Sequence, residues 1–243
     1  MAERRLLTGI AGGIIGAITA VIGIVWSVLY FIFLNGTIYP ITLYESDLIG
    51  GSFYFDIYFV PYPSYDSGFS LFLVFSIIIC TLLIVTSLLT SVGFSGLYEV
   101  GAGKGGVYTL IVGNAGIFSA ALLILIATLT TTVEVQAQSV SFGAIWIDLL
   151  IAITQNWFYF KLGFFVLAVA LIILGSASLY IRNMITNPAL PTAAGIVSPL
   201  GAFFLIIGAL VFTMIFGAIL VLVGFIILTF FFIAWTVVFY SSR

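Results

Sequence analysis

The sequence predicts an all-α integral membrane bundle of about six transmembrane helices, with a small β-sheet cap formed by its outer loops. Three observations predict it. Of the 243 residues, 63% are hydrophobic and 6% charged, against roughly 25% charged in a soluble domain, so the chain cannot cover a water-facing surface. Long apolar runs recur along the whole chain, and roughly 20 apolar residues cross the hydrocarbon as a helix. The few basic residues also fall where one side of such a bundle would collect them.

The spans follow in order: residues 6–34, 69–92, 107–131 and 159–181. Residues 195–240 form a nearly unbroken apolar run, too long for one helix of normal tilt. A division near Thr213–Gly217 gives a fifth span over 195–214 and a sixth over 217–240. The alternative is one steeply tilted helix followed by a re-entrant segment. The first span follows Arg4 and Arg5, as a secretory signal does. It exceeds the roughly 7–15 residues of a signal core and no polar cleavage region follows, so it is expected to stay as an anchor.

With both termini in the cytoplasm of a cell-membrane protein, Arg4, Arg5, Lys104, Arg182 and Arg243 fall inside, and Lys161 alone falls near the outer surface. Glu45, Asp47, Asp56, Asp66, Glu134 and Asp148 fall outside, and Glu3 and Glu99 inside. That is the positive-inside arrangement.

The outer loops are expected over 35–68 and 132–158. Phe53–Val60 alternates Phe, Phe, Ile, Phe with Tyr, Asp, Tyr, a period of two that suits a half-buried strand. Ile38–Tyr44 is its expected hairpin partner across Gly50-Gly51-Ser52, and Thr132–Gln138 alternates in the same way. An antiparallel cap follows from these segments; a loop lying on the headgroups is the alternative. Asn35-Gly36-Thr37 matches the N-glycosylation pattern on the outer side, although its place at the membrane edge counts against use. Residues 143–158 combine apolar positions with Asp148, Gln155 and Asn156 between two tryptophans, which suits a short helix in the outer interface.

Composition narrows function mainly by exclusion. The net charge is −2 and no polybasic patch exists, which argues against nucleic acid. There is no histidine, the common ligand of haem, zinc and copper, so no cofactor is expected. The single cysteine, Cys80, cannot form a disulfide within the chain, and its apolar setting suits a small packing residue better than a reactive thiol. No charged residue lies centrally in a span, which disfavours pumps, proton-coupled carriers and voltage sensors. A hydrolase lacks a base–nucleophile pair. Asn114 is the most polar residue within a span and is expected to hydrogen-bond a neighbouring helix rather than a solute.

Glycine is the distinctive residue of the helices. Gly12, Gly16 and Ala20 repeat every four residues in the first span, beside Gly9, Gly13 and Ala17. Gly201 and Gly208 lie seven apart in the fifth span, as do Gly217 and Gly224 in the sixth. Such small-residue stripes admit a second backbone, from this bundle or from a separate subunit. Gly101-Ala-Gly-Lys104-Gly-Gly has neither the spacing nor the hydroxyl of a phosphate loop and is expected to be a flexible inner turn. Gly93-Phe-Ser-Gly-Leu97-Tyr98 and Gly175-Ser-Ala-Ser-Leu179-Tyr180 hint that spans two and three are a parallel copy of spans four and five.

The Gly-Phe-x-x-Leu-Tyr segment at 93–98, the glycine-rich turn after it and the helices rich in Ile, Leu, Phe and Gly resemble uncharacterised multi-spanning membrane proteins of thermoacidophilic archaea. The resemblance covers roughly residues 70–240 and implies no catalytic or binding residues. The expected outer cap also looks like claudin architecture, but the Gly-Leu-Trp motif and paired cysteines of that family are missing.

The leading expectation is a non-catalytic structural or accessory subunit of a larger respiratory or cell-envelope membrane complex. Its partners are the lipid bilayer and other membrane subunits. The rival is a channel or carrier for a neutral or apolar solute, lined by Ser, Thr, Asn114 and backbone. A lipid-acting enzyme would have to use Asp148 and Glu134.

Overall fold

The computed structural model describes residues 1–36, 67–138, 145–185, 188–210 and 215–243. They form six long helices: α1 (Ala2–Gly36), α2 (Ser67–Glu99), α3 (Lys104–Gln138), α4 (Ile145–Ile181), α5 (Ala189–Leu210) and α6 (Ile215–Ser241). A single 3₁₀ turn, Arg182–Met184, follows α4. Each helix carries a stretch long and apolar enough to cross a membrane, with 44–56% of that stretch buried. About half of each span therefore faces protein, and the outward half is apolar too, as Ile18, Leu88, Val112, Phe203 and Phe230 illustrate. Such a surface is stable only where hydrocarbon is the solvent.

The long apolar run over 195–240 is divided as expected. Helix α5 ends at Leu210 and α6 starts at Ile215. They form an antiparallel hairpin in which a Cβ on Gly208 would stand 2.9 Å from Val221 and 3.3 Å from the Gly217 carbonyl. Two helices thus replace the alternative of a tilted helix with a re-entrant segment. Helix α5 begins at Ala189, earlier than expected, because Pro191 falls in its first turn, where no intrahelical N–H bond is lost.

Two expectations for the outer side are corrected. Thr132–Gln138 is not a strand but the last turns of α3, and 145–158 is not a separate interfacial helix but the start of α4. Alternation over seven residues fits either period, and extending an existing helix adds one hydrogen bond per residue fixed, whereas a strand must find a partner. With 37 residues, α4 is about 55 Å long and outreaches the roughly 30 Å hydrocarbon. Residues 37–66, which include the other two expected strands, lie outside the described residues.

Each helix packs against its neighbours in sequence, and α6 packs back on α1, so the six form a closed circuit. The seams are made where side chains are missing. On α1, a Cβ at Gly9 would meet the Gly93 Cα at 2.7 Å, and one at Gly12 would meet Leu89 and Thr90 of α2 at 2.8 Å. On the adjoining face, Gly13 admits Thr236, Gly16 the Phe232 ring and Gly23 the Phe225 ring, all from α6. Ala20 of the same stripe is fully buried. Gly201 lies under Ile227, and Gly224 under Leu205, which joins α5 to α6. Gly106, Gly113 and Gly116 of α3 receive Ile181, Leu174 and Ala170 of α4.

The α2–α3 connection is a tight cap. Ala102 N–H donates to the Leu97 carbonyl at 3.0 Å and Gly101 N–H to the Tyr98 carbonyl at 3.3 Å. Gly101 has φ +106°. That pairing is a Schellman motif, with glycine at the one residue needing positive φ. The glycine-rich stretch is therefore a defined helix terminus rather than a flexible turn.

The proposed parallel copy does not extend to environment. Gly93 packs on α1, whereas Gly175 packs on Gly195 and Pro199 of α5; Leu97 is fully buried, and Leu179 is 36% exposed.

Replacing Gly9 by Val is expected to destabilise the bundle by about 1–3 kcal/mol, since backbone rather than a movable side chain stands in the way. Gly105→Ala meets nothing within 4 Å and is expected to leave stability unchanged or slightly raised. Both are read from unfolding of the purified protein by titrated dodecyl sulfate.

Candidate functional site: an intramembrane polar seam

The densest polar chemistry inside the spans lies where α2 meets α3. Thr86, Ser87 and Thr90 of α2 and Asn114 of α3 are all buried. The Asn114 side-chain amide donates to the Ser87 carbonyl and to the hydroxyl oxygens of Thr90 and Ser91, both at 2.8 Å. Three acceptors thus converge on a group with two hydrogens. Asn114 joins neighbouring helices, as its place in an apolar span suggests.

The hydroxyls of the seam are largely occupied by their own helices. Thr90 donates to the Thr86 carbonyl at 2.7 Å and Ser87 to the Ile84 carbonyl at 2.9 Å. Elsewhere Thr19, Ser27, Thr128 and Ser178 donate to carbonyls one turn back at 2.6–2.9 Å. A hydroxyl satisfied in this way can lie in hydrocarbon without offering a coordinating surface.

Above and below the seam the interior is filled by rings. Trp26 of α1 packs on Phe164 of α4 and Phe225 of α6, with centroids 6.1 and 6.3 Å apart, and its indole donates to the Ser76 hydroxyl at 2.6 Å. Nearer the end that carries both termini, Phe94 of α2 lies edge-on to Trp235 of α6 at 4.8 Å and beside Phe239 at 5.4 Å. Phe239 also covers the Gly9–Gly93 contact.

The ends of the helices are latched on the face carrying the termini. Arg5 pairs with Glu99 at 2.8 Å, and Arg243 pairs with Glu3 at 2.6 Å, tying α1 to α2 and α6 to α1. Lys104 lies 5.8 Å above the Tyr98 ring, and Gly103 N–H donates to the Met184 sulfur at 3.2 Å, linking the α2–α3 turn to the end of α4. Tyr98, Tyr108, Tyr180 and Tyr240 are exposed near this same end, the level at which aromatic side chains border a bilayer. Exposed ion pairs of this kind contribute about 0–1 kcal/mol each and mainly set register.

The structure places the glycines named in the sequence at seams within the chain: Gly12 and Gly16 of α1 face α2 and α6, and Gly201, Gly208 and Gly224 join α5 to α6. Gly217 is buried in the same hairpin. Asn35 stands in the last turn of α1. Glu134 and Asp148 stand in the last turns of α3 and the first turns of α4. Cys80 is buried within α2.

One seam escaped the sequence reading. Between α4 and α5, the Ser198 hydroxyl donates to the Leu171 carbonyl, and Gly175 faces both Pro199 and the Gly195 carbonyl. Pro199 has no N–H to offer that carbonyl one turn earlier, which leaves it free to face α4. A proline inside an apolar run was the available signal.

No family model, curated protein or solved structure matches this chain.

Replacing Asn114 by Leu is expected to lower stability by about 0.6–1.7 kcal/mol, the range of interhelical hydrogen bonds in membranes, read from dodecyl sulfate unfolding. Cys80 is expected to resist maleimide in the folded protein and to react after denaturation. Labelling at equal rates in both states would contradict its burial between helices.

Proposed function

We propose that the chain is a non-catalytic structural or accessory subunit of a larger membrane assembly, of the respiratory or cell-envelope kind. The observation that carries this reading is the filled interior: two aromatic layers and a set of self-satisfied hydroxyls occupy the space a transport path would need. Lipid surrounds the bundle, with both termini on the cytoplasmic side. In support, Arg4, Arg5, Lys104, Arg182 and Arg243 gather at the end that carries the termini. The resemblance to membrane proteins of thermoacidophilic archaea belongs with this reading.

The glycine stripes do not supply the partner's seat, since the bundle uses them itself. The outer side supplies it instead. There α3 and α4 outreach the hydrocarbon, and the aromatic segment over 37–66 carries Glu45, Asp47, Asp56 and Asp66 with no basic residue. A cap built from 38–44 and 53–60 would present those acids to a basic partner.

A carrier for neutral solutes is the second reading, favoured only by the Asn114 seam. It requires a continuous polar path across the aromatic layers.

Extraction in a mild detergent followed by native mass measurement is expected to give a species heavier than the 26.2 kDa chain, and deletion of residues 38–60 is expected to release the monomer. A monomer at every concentration tested would sink the proposal. Solute uptake into vesicles holding the purified chain alone would favour the carrier.

A further inference from the structure

The end of the bundle that carries the termini holds more cations than it can pair. Arg4, Arg5, Lys104, Arg182 and Arg243 gather there against the side-chain carboxylates of Glu3 and Glu99. Both carboxylates are taken, Glu99 by Arg5 at 2.8 Å and Glu3 by Arg243 at 2.6 Å. Lys104 stands over the Tyr98 ring. No Asp or Glu follows Asp148 in the sequence, so the corner between the end of α4 and the start of α5 contains no acid. Arg182 stands at that corner and makes no ion pair among the described residues.

Arg182 also borders a cleft. An open hollow of about 570 Å³ lies between the 3₁₀ turn and the first turns of α5, and Arg182, Asn183, Pro188, Thr192 and Ile196 are among the residues that line it. The Thr192 hydroxyl proton is committed to the Pro188 carbonyl at 2.7 Å, which leaves the Arg182 guanidinium and the Asn183 amide as the side-chain donors of the cleft. Tyr180, two residues before Arg182, is exposed at the level where aromatic side chains border a bilayer. The polar rim of the cleft is therefore at headgroup depth. Its other end is apolar: Ile196 is exposed, and Leu200 and Phe203 continue it along the same face of α5. From Thr192 to Phe203 the helix rises about 16 Å, roughly one leaflet of the hydrocarbon.

We propose that this cleft binds one anionic phospholipid of the leaflet on that face. The phosphate accepts from the Arg182 guanidinium and the Asn183 amide, and an acyl chain runs over Ile196, Leu200 and Phe203. Guanidinium–phosphate hydrogen bonds are of the strong, charge-assisted kind, and a basic pocket between helices at headgroup depth is the arrangement that selects anionic lipid. A zwitterionic lipid would bring a second cation to a corner that has no carboxylate to receive it. A soluble phosphate ester could make the polar contacts but would leave the apolar stripe unused. The site does not depend on the function proposed above.

The test uses the full chain in a non-ionic detergent and counts lipid adducts by native mass measurement. Phosphatidylglycerol and phosphatidylcholine with the same acyl chains are titrated separately. Phosphatidylglycerol is expected to bind about tenfold more tightly, the weight of hydrogen bonds to a charged group, and Arg182→Gln should abolish that preference. Arg4→Gln, on the same face but outside the cleft, should keep it. Glycerol phosphate added at the concentration of the lipid should not displace it. Arg182 is exposed, so its replacement leaves the helices intact, which circular dichroism verifies. Equal binding of the two lipids, or a preference that survives Arg182→Gln, would overturn the proposal. So would an equal loss in Arg4→Gln, which marks diffuse attraction to a basic face. Displacement by glycerol phosphate would overturn it as well, because the cleft would then be a site for soluble phosphate esters.

Discussion

The close approach of α1 to α2 and α6 is the contact on which the rest of the bundle depends. Lipid tails are as apolar as leucine, so hydrophobicity does not press one helix onto another inside a bilayer. What remains is contact area, and α1 provides it by leaving side chains out. Gly9 and Gly93 bring two backbones together, and Gly13, Gly16 and Gly23 take in Thr236, Phe232 and Phe225. The same glycines let α6 pack back on α1 and so close the circuit. The Arg243–Glu3 pair sits at the seam between the two ends, but an exposed ion pair is too weak to hold it alone.

Once the backbones are that close, polar groups need places that do not waste hydrogen bonds. Most hydroxyls in the spans donate to a carbonyl one turn back on their own helix and become, energetically, part of the backbone. Asn114 joins helices instead, as do Ser198 between α5 and α4 and Trp26 between α1 and α2, and its cluster of α2 acceptors marks the depth at which interior chemistry is concentrated. The aromatic layers to either side isolate that depth. A polar group there is shielded from water on both sides, which raises the cost of leaving any of its valences open.

Sequence made the six helices legible, because each needs only length and apolar composition, and both are local properties. The division of 195–240 was legible for the same reason: no single helix of normal tilt accommodates so long a run. Glycine spacing marked α1 as a packing face but not its partner. A stripe that admits a backbone reads the same whether that backbone is α2, α6 or another protein, and only the fold assigned it inward. Asn114 was legible as a bond between helices because an amide in hydrocarbon has few other uses. Thr132–Gln138 was not, since seven alternating residues carry both periods and the continuity of α3 decides between them. The α4–α5 seam at Gly175, Ser198 and Pro199 was hidden because its key group is a backbone carbonyl released by a proline, and composition does not display that.

The inward assignment of the glycines changes where a partner can bind. Had Gly12 and Gly16 faced lipid, a second transmembrane protein could have docked there by the same backbone approach. With Thr90 and Phe232 filling those notches, the lipid-facing surface is left with large side chains such as Ile18, Leu88 and Phe230, which pack against acyl chains as well as against protein. A partner gains little by displacing lipid from them. Selective recognition is cheaper outside the hydrocarbon, where polar groups must otherwise be matched by water and charge discriminates between partners. The ends of α3 and α4 that outreach the hydrocarbon lie there. On the reading proposed above, the bundle is a rigid base whose partner binds outside the hydrocarbon.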